Sequence, residues 1–245
     1  MKGLLVALQF LTRLPTPPVA LSGDDFARSM RWFPAVGLII GLIVAAVGFA
    51  GSRIDDWTGA AMALLIWVLV TGALHLDGLG DMADAAGALH KSGDGTHDKE
   101  RLSAILADPH VGSFGVTAIA LLLIVKLVLL HALIDRGLFA GLACIPFAAR
   151  IAPLVWTCWL PPLHEGLGAR FRGAIRPVHL MIWGAALLIA SFFFPALILL
   201  IPVIALWGWW IVQRIGGISG DGHGAGMEIA ETMLLFALIA TAGPQ

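Results

Sequence analysis

The chain has 245 residues, 59% of them hydrophobic and 13% charged, and a net charge of -1. Soluble domains are about 45–50% apolar and about 25% charged, so this composition cannot cover a water-facing surface and lipid must be the solvent. The near-neutral balance points to no partner, and nucleic acid is not expected as one; what matters is where the few charges sit.

Residues 1–33 form an N-terminal interfacial segment. Leu4–Leu14 is apolar, with Gln9, Thr12 and Arg13 interleaved. It is too short to span and suits a helix lying at the bilayer interface, stopped by Pro15, Pro17 and Pro18, with an ordinary leading strand or loop as the alternative. No small-residue cleavage site follows, so it does not read as a signal peptide.

A spanning helix needs about 20 mostly apolar residues. The candidates are Phe33–Gly51, Thr58–His75, Gly112–Ala132, Leu138–Leu160, Leu180–Pro195, Ala196–Val212 and Gly226–Ala242. The fifth and sixth abut at Pro195, as a hairpin or one broken helix. The expectation is an all-α, polytopic membrane helix bundle of about seven transmembrane helices with cytoplasmic catalytic loops, one domain over residues 1–245.

Charge sets the expected orientation. Lys2, Arg13, Arg28 and Arg31, then Lys91, Lys99 and Arg101, then Arg170, Arg172 and Arg176, and finally Arg214 fall in loops that seven spans put on one side. Only Arg53 and Arg136 fall opposite. The positive-inside rule makes the richer side cytoplasmic, at the cell inner membrane. Lys126 and Arg150 lie inside spans, where cations face a cavity or a carboxylate. Arg150 is a candidate for the substrate pocket, with snorkelling or an internal ion pair as the other readings. Cys144 and Cys158 lack metal-binding spacing and read as spectator thiols.

The main chemical signal opens an Asp-rich loop over residues 76–111. Asp77, Asp81 and Asp84 stand at i, i+4 and i+7, one face of a helix. Stacked carboxylates repel unless a cation sits among them, and hard oxygen donors suit Mg²⁺. These three are candidate metal ligands, Asp77 and Asp81 also catalytic, with His75 a candidate proton acceptor. A solvated helix face is the plainer reading. Asp108 is a fourth candidate ligand, and equally an N-cap before Pro109. Gly112 and Gly115 open the next span, where backbone N–H groups can approach an anion.

A Gly-rich loop over residues 213–226 contains Gly216, Gly217, Gly220, Asp221 and His223. Such a loop entering a helix suits phosphate. Asp221 adds a candidate metal ligand, and His223 a substrate contact. Among the basic side chains, Arg13, Arg31 and Arg101 are the candidates for neutralising a diphosphate.

The motifs Gln9-Phe10-Leu11-Thr12-Arg13-Leu14-Pro15, Phe33-Pro34-x-x-Gly37, His75-x-Asp77-Gly78-x-x-Asp81-x-x-Asp84, Asp108-x-x-x-Gly112-x-Phe114-Gly115 and Gly216-Gly217-x-x-Gly220-Asp221-x-x-Gly224-Ala225 occur in this order. Together they resemble the membrane-bound cobalamin synthases, the adenosylcobinamide-GDP ribazoletransferases. The resemblance implies a Mg²⁺-dependent enzyme of nucleotide loop assembly. In it the ribose 5′-hydroxyl of α-ribazole, or a phosphorylated form, attacks adenosylcobinamide-GDP, giving adenosylcobalamin or its 5′-phosphate and GMP. A homo-oligomer and other corrinoid-pathway enzymes stand as further partners.

Two rivals differ in chemistry or class. A CDP-alcohol phosphotransferase would show Asp-x-x-Asp-Gly with Ala-Arg close behind, and Asp77-Gly78 has neither. A small-molecule transporter would put carboxylates near mid-membrane, often with inverted repeats.

Overall fold

The structure, a computed structural model, describes residues 2–19, 23–91, 110–163 and 172–242. It is 84% helical with no strand among the described residues, apart from an isolated bridge between Pro162 and Ile218. Helices α1 (Lys2–Leu11) and α2 (Gly23–Ser29) lead through the 3-10 turn Met30–Trp32 into α3 (Phe33–Ser52). Then come α4 (Asp56–Thr71), α5 (Leu74–Lys91), α6 (Ser113–Asp135), α7 (Phe139–Ala149) and α8 (Ala152–Trp159). The chain ends with α9 (Pro177–Phe193), the 3-10 turn Pro195–Leu199, α10 (Leu200–Arg214) and α11 (Gly220–Thr241). Only helices satisfy every backbone group from within, which is what an apolar solvent demands of an open chain.

Among the described residues, five stretches are long and apolar enough to cross a membrane: Asp25–Ser52, Ser113–Asp135, Phe139–Trp159, Pro195–Arg214 and Gly220–Thr241. Leu42, Leu121, Leu188, Phe192, Leu206 and Phe236 face outward, as side chains in contact with lipid should. The chain is a multi-pass membrane protein. Against about seven expected spans, the described residues hold five that pass on length and composition, or six if α4 and α5 count as one broken span. α9, on the fifth expected span, has 17 residues and is too short to qualify.

The second expected span, Thr58–His75, is not one rod. α4 ends at Thr71, and α5 leaves at 86° to it. Gly72 and Ala73 both take left-handed φ, +61° and +59°. The Gly72 N–H donates to the Leu69 carbonyl and the Ala73 N–H to the Val68 carbonyl, closing the helix in a Schellman turn. Left-handed φ costs an alanine about 1–2 kcal/mol, a strain that turns the chain toward α11.

Small residues let the backbones meet. A Cβ on Gly37 or Gly41 of α3 would collide with the carbonyls of Pro146 and Ala143 on α7. In lipid, where apolar burial drives little, such close packing carries helix association. At the other end of the chain, Lys2 Nζ reaches Asp25 Oδ2 at 2.6 Å and ties α1 to α2. Val6, Ala7 and Leu11 of α1 are buried against the bundle.

Candidate active site

α5 carries the acids because its two faces differ. Leu76, Leu79, Met82 and Ala85 are buried and hold the helix against its neighbours. Asp77 is exposed, and Asp81 and Asp84 are half-buried. Residues 76–91, expected as part of a loop, are therefore helix packed on α6 and α11. A packed helix has fewer ways to spread its carboxylates apart. Asp108 and Arg101 lie outside the described residues.

α11 brings the fourth carboxylate. A Cβ on Gly78 would stand 2.9 Å from the Asp221 backbone, and one on Gly224 would stand 3.3 Å from the His75 Cα. The first turns of α5 and α11 thus touch backbone to backbone. Asp81 lies in the field of Asp221, Asp77 and Asp84, named in order of strength. Two segments that are 140 residues apart in sequence, at Asp81 and Asp221, supply one anionic cluster. Such a set of hard oxygens could hold a divalent cation. Among the described residues no three His, Cys, Asp or Glu side chains are drawn in tightly enough to cage one.

Asp84 has a second task. Its Oδ2 accepts the Gly112 N–H at 2.7 Å and its Oδ1 accepts the Gly115 N–H at 3.0 Å. These donors were expected to receive substrate phosphate; the anion they hold is the protein's own carboxylate. Glycine is needed at both places because a Cβ would run into the Asp84 carboxylate. Charge-assisted hydrogen bonds contribute about 1.5–3 kcal/mol. Asp84→Ala should therefore lower thermal stability by about that amount, read from unfolding in detergent. An unchanged melting curve would show that the α6 N-terminus does not depend on Asp84.

His75 is 2% exposed, and its Nδ1 lies 3.4 Å from Arg150 Nη2. Arginine only donates, so Nδ1 is the acceptor and Nε2 carries the hydrogen. The imidazole lone pair is therefore engaged, and His75 cannot serve as the expected proton acceptor while Arg150 holds it. Its Nε2 is buried without a partner.

Arg150 is fully buried, not a wall of an open substrate pocket. Its Nη1 donates to Glu231 Oε1 at 2.6 Å and to the Pro146 carbonyl at 3.0 Å. Glu231 Oε2 meets Lys126 Nζ at 2.7 Å, and Glu228 Oε2 meets the same Nζ at 2.6 Å. Lys126 also lies 4.6 Å from the Trp67 ring centroid. Of the open readings for the two intramembrane cations, the internal ion pair holds. Glu228 and Glu231 are absent from the sequence-based site. Their signal was available: two carboxylates at i and i+3 inside an apolar span require buried cations.

The Gly-rich loop divides. A Cβ on Gly217 would press on Pro161 and Leu163, where the Ile218 N–H donates to the Pro161 carbonyl and the Leu163 N–H to the Ile218 carbonyl. Gly217 therefore lies against backbone rather than open to a phosphate. Gly216, at φ +92°, and Gly220 have nothing near the missing Cβ. Gly217→Val is expected to destabilise this bridge and depress expression, rather than raise KM for one substrate selectively; a selective KM change with normal stability would reverse that assignment. His223 stacks on Trp156 at 6.1 Å between centroids and meets Thr157 Oγ1 at 3.2 Å through Nε2.

Of the basic candidates, Arg13 lies across the bend, with its side chain over Gly72 and its N–H donated to the Val70 carbonyl at 2.7 Å. The Arg31 carbonyl accepts from Trp183 Nε1 at 2.7 Å, and Arg31 Nε is buried without a partner. Cys144 and Cys158 are both free thiols.

Residues 3–239 match the family model described as Cobalamin-5-phosphate synthase. A protein of Novosphingobium aromaticivorans is 57% identical over 98% of this chain and 97% of its own length. One from Thiobacillus denitrificans is 44% identical over 96% of this chain and 94% of its own. One from Laribacter hongkongensis is 45% identical over 100% of this chain and 99% of its own. All three bear the name adenosylcobinamide-GDP ribazoletransferase. No solved structure matches.

Proposed function

The chain belongs to the cobalamin-5-phosphate synthase family, and on that footing we propose that it transfers the cobinamide-phosphate group of adenosylcobinamide-GDP to α-ribazole or α-ribazole 5′-phosphate, releasing GMP. The observation that carries the reading is the backbone contact of Gly78 on α5 with Asp221 on α11, which puts Asp221 in the electrostatic reach of Asp81, alongside Asp77 and Asp84. A phosphoryl transfer between anions needs positive charge beside the diphosphate and a fixed line of attack.

Asp77, Asp81 and Asp221 would hold Mg²⁺, which when bound neutralises the charge that develops on the phosphate oxygens. Asp84 fixes the α6 N-terminus through Gly112 and Gly115. Asp77 or Asp81 takes the hydroxyl proton through an oxygen turned from the cation, because the His75 lone pair is committed to Arg150 and both Asp84 oxygens to Gly112 and Gly115. Where the acceptor carries a 5′-phosphate that survives in the product, the attacking oxygen is another ribose hydroxyl, not the 5′-hydroxyl first expected. The start of α11 at Gly220 offers backbone N–H groups to the leaving phosphate. The acid-bearing ends face the cytoplasm of the inner membrane, where soluble nucleotides are met.

Transport is the rival reading of another class. Its footing in the sequence is Lys126 and Arg150, and both are paired with Glu228 and Glu231. The test uses the purified chain in detergent with adenosylcobinamide-GDP, Mg²⁺ and either acceptor. GMP release stoichiometric with the cobamide product is expected. No product, together with cobamide uptake into vesicles, would establish transport instead.

A further inference from the structure

Lys126, Glu228, Arg150 and Glu231 are 3%, 4%, 0% and 0% exposed, and come from α6, α11 and the cap of α7. A charged side chain at mid-membrane costs about 2.5–3.5 kcal/mol on insertion scales. Apolar side chains of similar volume often hold such a place as well or better. Stability alone therefore gives a weak reason for four of them.

The network has a direction. Glu231 divides its two oxygens between Lys126 and Arg150. Arg150 in turn uses separate donors on separate helices, Nη1 on α11 and Nη2 on His75 in the first turn of α5. Lysine offers one point charge and could not make both contacts in fixed directions. His75 stands two residues before Asp77 and is backed by Gly224 of α11. Helix residues are spaced about 100° apart around the axis, so a small rotation of α5 would carry Asp77 and Asp81 away from Asp221. Asp84 and the buried Leu79 and Met82 hold α5 further along, but at the α5–α11 contact itself the glycines Gly78 and Gly224 supply no interlocking side chain, and His75 is the group there with a side-chain tie.

We propose that Arg150, held by Glu231, is a positioning residue that acts through His75 to fix α5, and so sets the spacing of Asp77 and Asp81 from Asp221. The proposal rests on the metal reading of the acid cluster given above. It assigns Glu231, Arg150 and His75 to cation affinity, not to contact with substrate.

The test is Mn²⁺ binding to the full chain in nanodiscs, read from the electron paramagnetic resonance signal of unbound Mn²⁺, with no substrate present. Arg150→Lys keeps the charge opposite Glu231 and loses the fork. It should weaken Mn²⁺ binding about tenfold, the loss typical of groups that orient metal ligands. His75→Ala, which leaves the network's charges balanced, should weaken it by a similar factor. Adding Arg150→Lys to His75→Ala should change nothing further. Additive losses would overturn action through His75. A lowered melting temperature with unchanged Mn²⁺ affinity would make Arg150 a structural staple only, overturning the proposal while leaving the metal reading intact. No Mn²⁺ binding by the unsubstituted chain would remove the metal reading and this proposal with it.

Discussion

Asp81→Asn is expected to cut turnover about a thousandfold while the protein still inserts and folds. A divalent cation contributes several kcal/mol to a phosphoryl-transfer transition state, and each 1.36 kcal/mol is about tenfold in rate. Asp81 is held by partial burial first, and then by the charges of Asp221, Asp77 and Asp84, on the side of its protonated form. It is half-buried, and its neighbours on the packed face, Leu79 and Met82, are unaffected by the change. Asparagine keeps the shape and one oxygen but removes the charge that attracts a cation. Relieving the repulsion among the acids should leave stability equal or slightly higher. The check is GMP release in detergent alongside a melting curve. Normal turnover would end the assignment of the metal to this face.

Glu231→Leu should act in the opposite way, on the fold before the chemistry. Removing one partner of a buried ion pair costs about 3–5 kcal/mol, because the remaining charge has neither water nor a counter-ion. Here one carboxylate serves two cations, with Lys126 Nζ at 2.7 Å and Arg150 Nη1 at 2.6 Å. Its loss leaves two cations facing Glu228 alone. The double substitution Lys126→Met with Glu228→Leu removes one charge of each sign and leaves Arg150 paired with Glu231. It should cost far less, although Trp67 loses its cation. Comparing expression and thermal unfolding of the two variants checks the argument. Equal losses would show that volume, not charge balance, matters at this level of the bundle.

Some of the candidate site was legible because local spacing is a chemical statement. Asp77, Asp81 and Asp84 fall on one side of any helix that contains them, and α5 is such a helix. Gly112 and Gly115 announce a close approach by an anion, and one is there. That the anion is Asp84 could not be read, because it lies 28 residues earlier and only the packing of α5 on α6 brings it across. Gly217 was misread for a related reason. A glycine that admits a ligand and one that admits a neighbouring backbone look the same in a sequence. Glu228 and Glu231 were passed over because α11 reads as an apolar span, in which two acids lower the hydropathy without ending it.

Solvent, helical class and the residue types of the chemistry follow from composition and spacing. A chain with 13% charged residues needs lipid as solvent, and apolar runs of about 20 residues satisfy their backbone there as helices. Which groups face one another follows from the packing of the helices and from nothing more local. The 86° bend at Gly72–Ala73 turns α5 onto α11, Asp221 joins the acids of α5, and Arg150 finds Glu231 and His75. Hydropathy counts transfer energy residue by residue and has no term for direction. The angle between α4 and α5 comes from left-handed backbone and glycine contacts, and those energies exist only once distant segments have met.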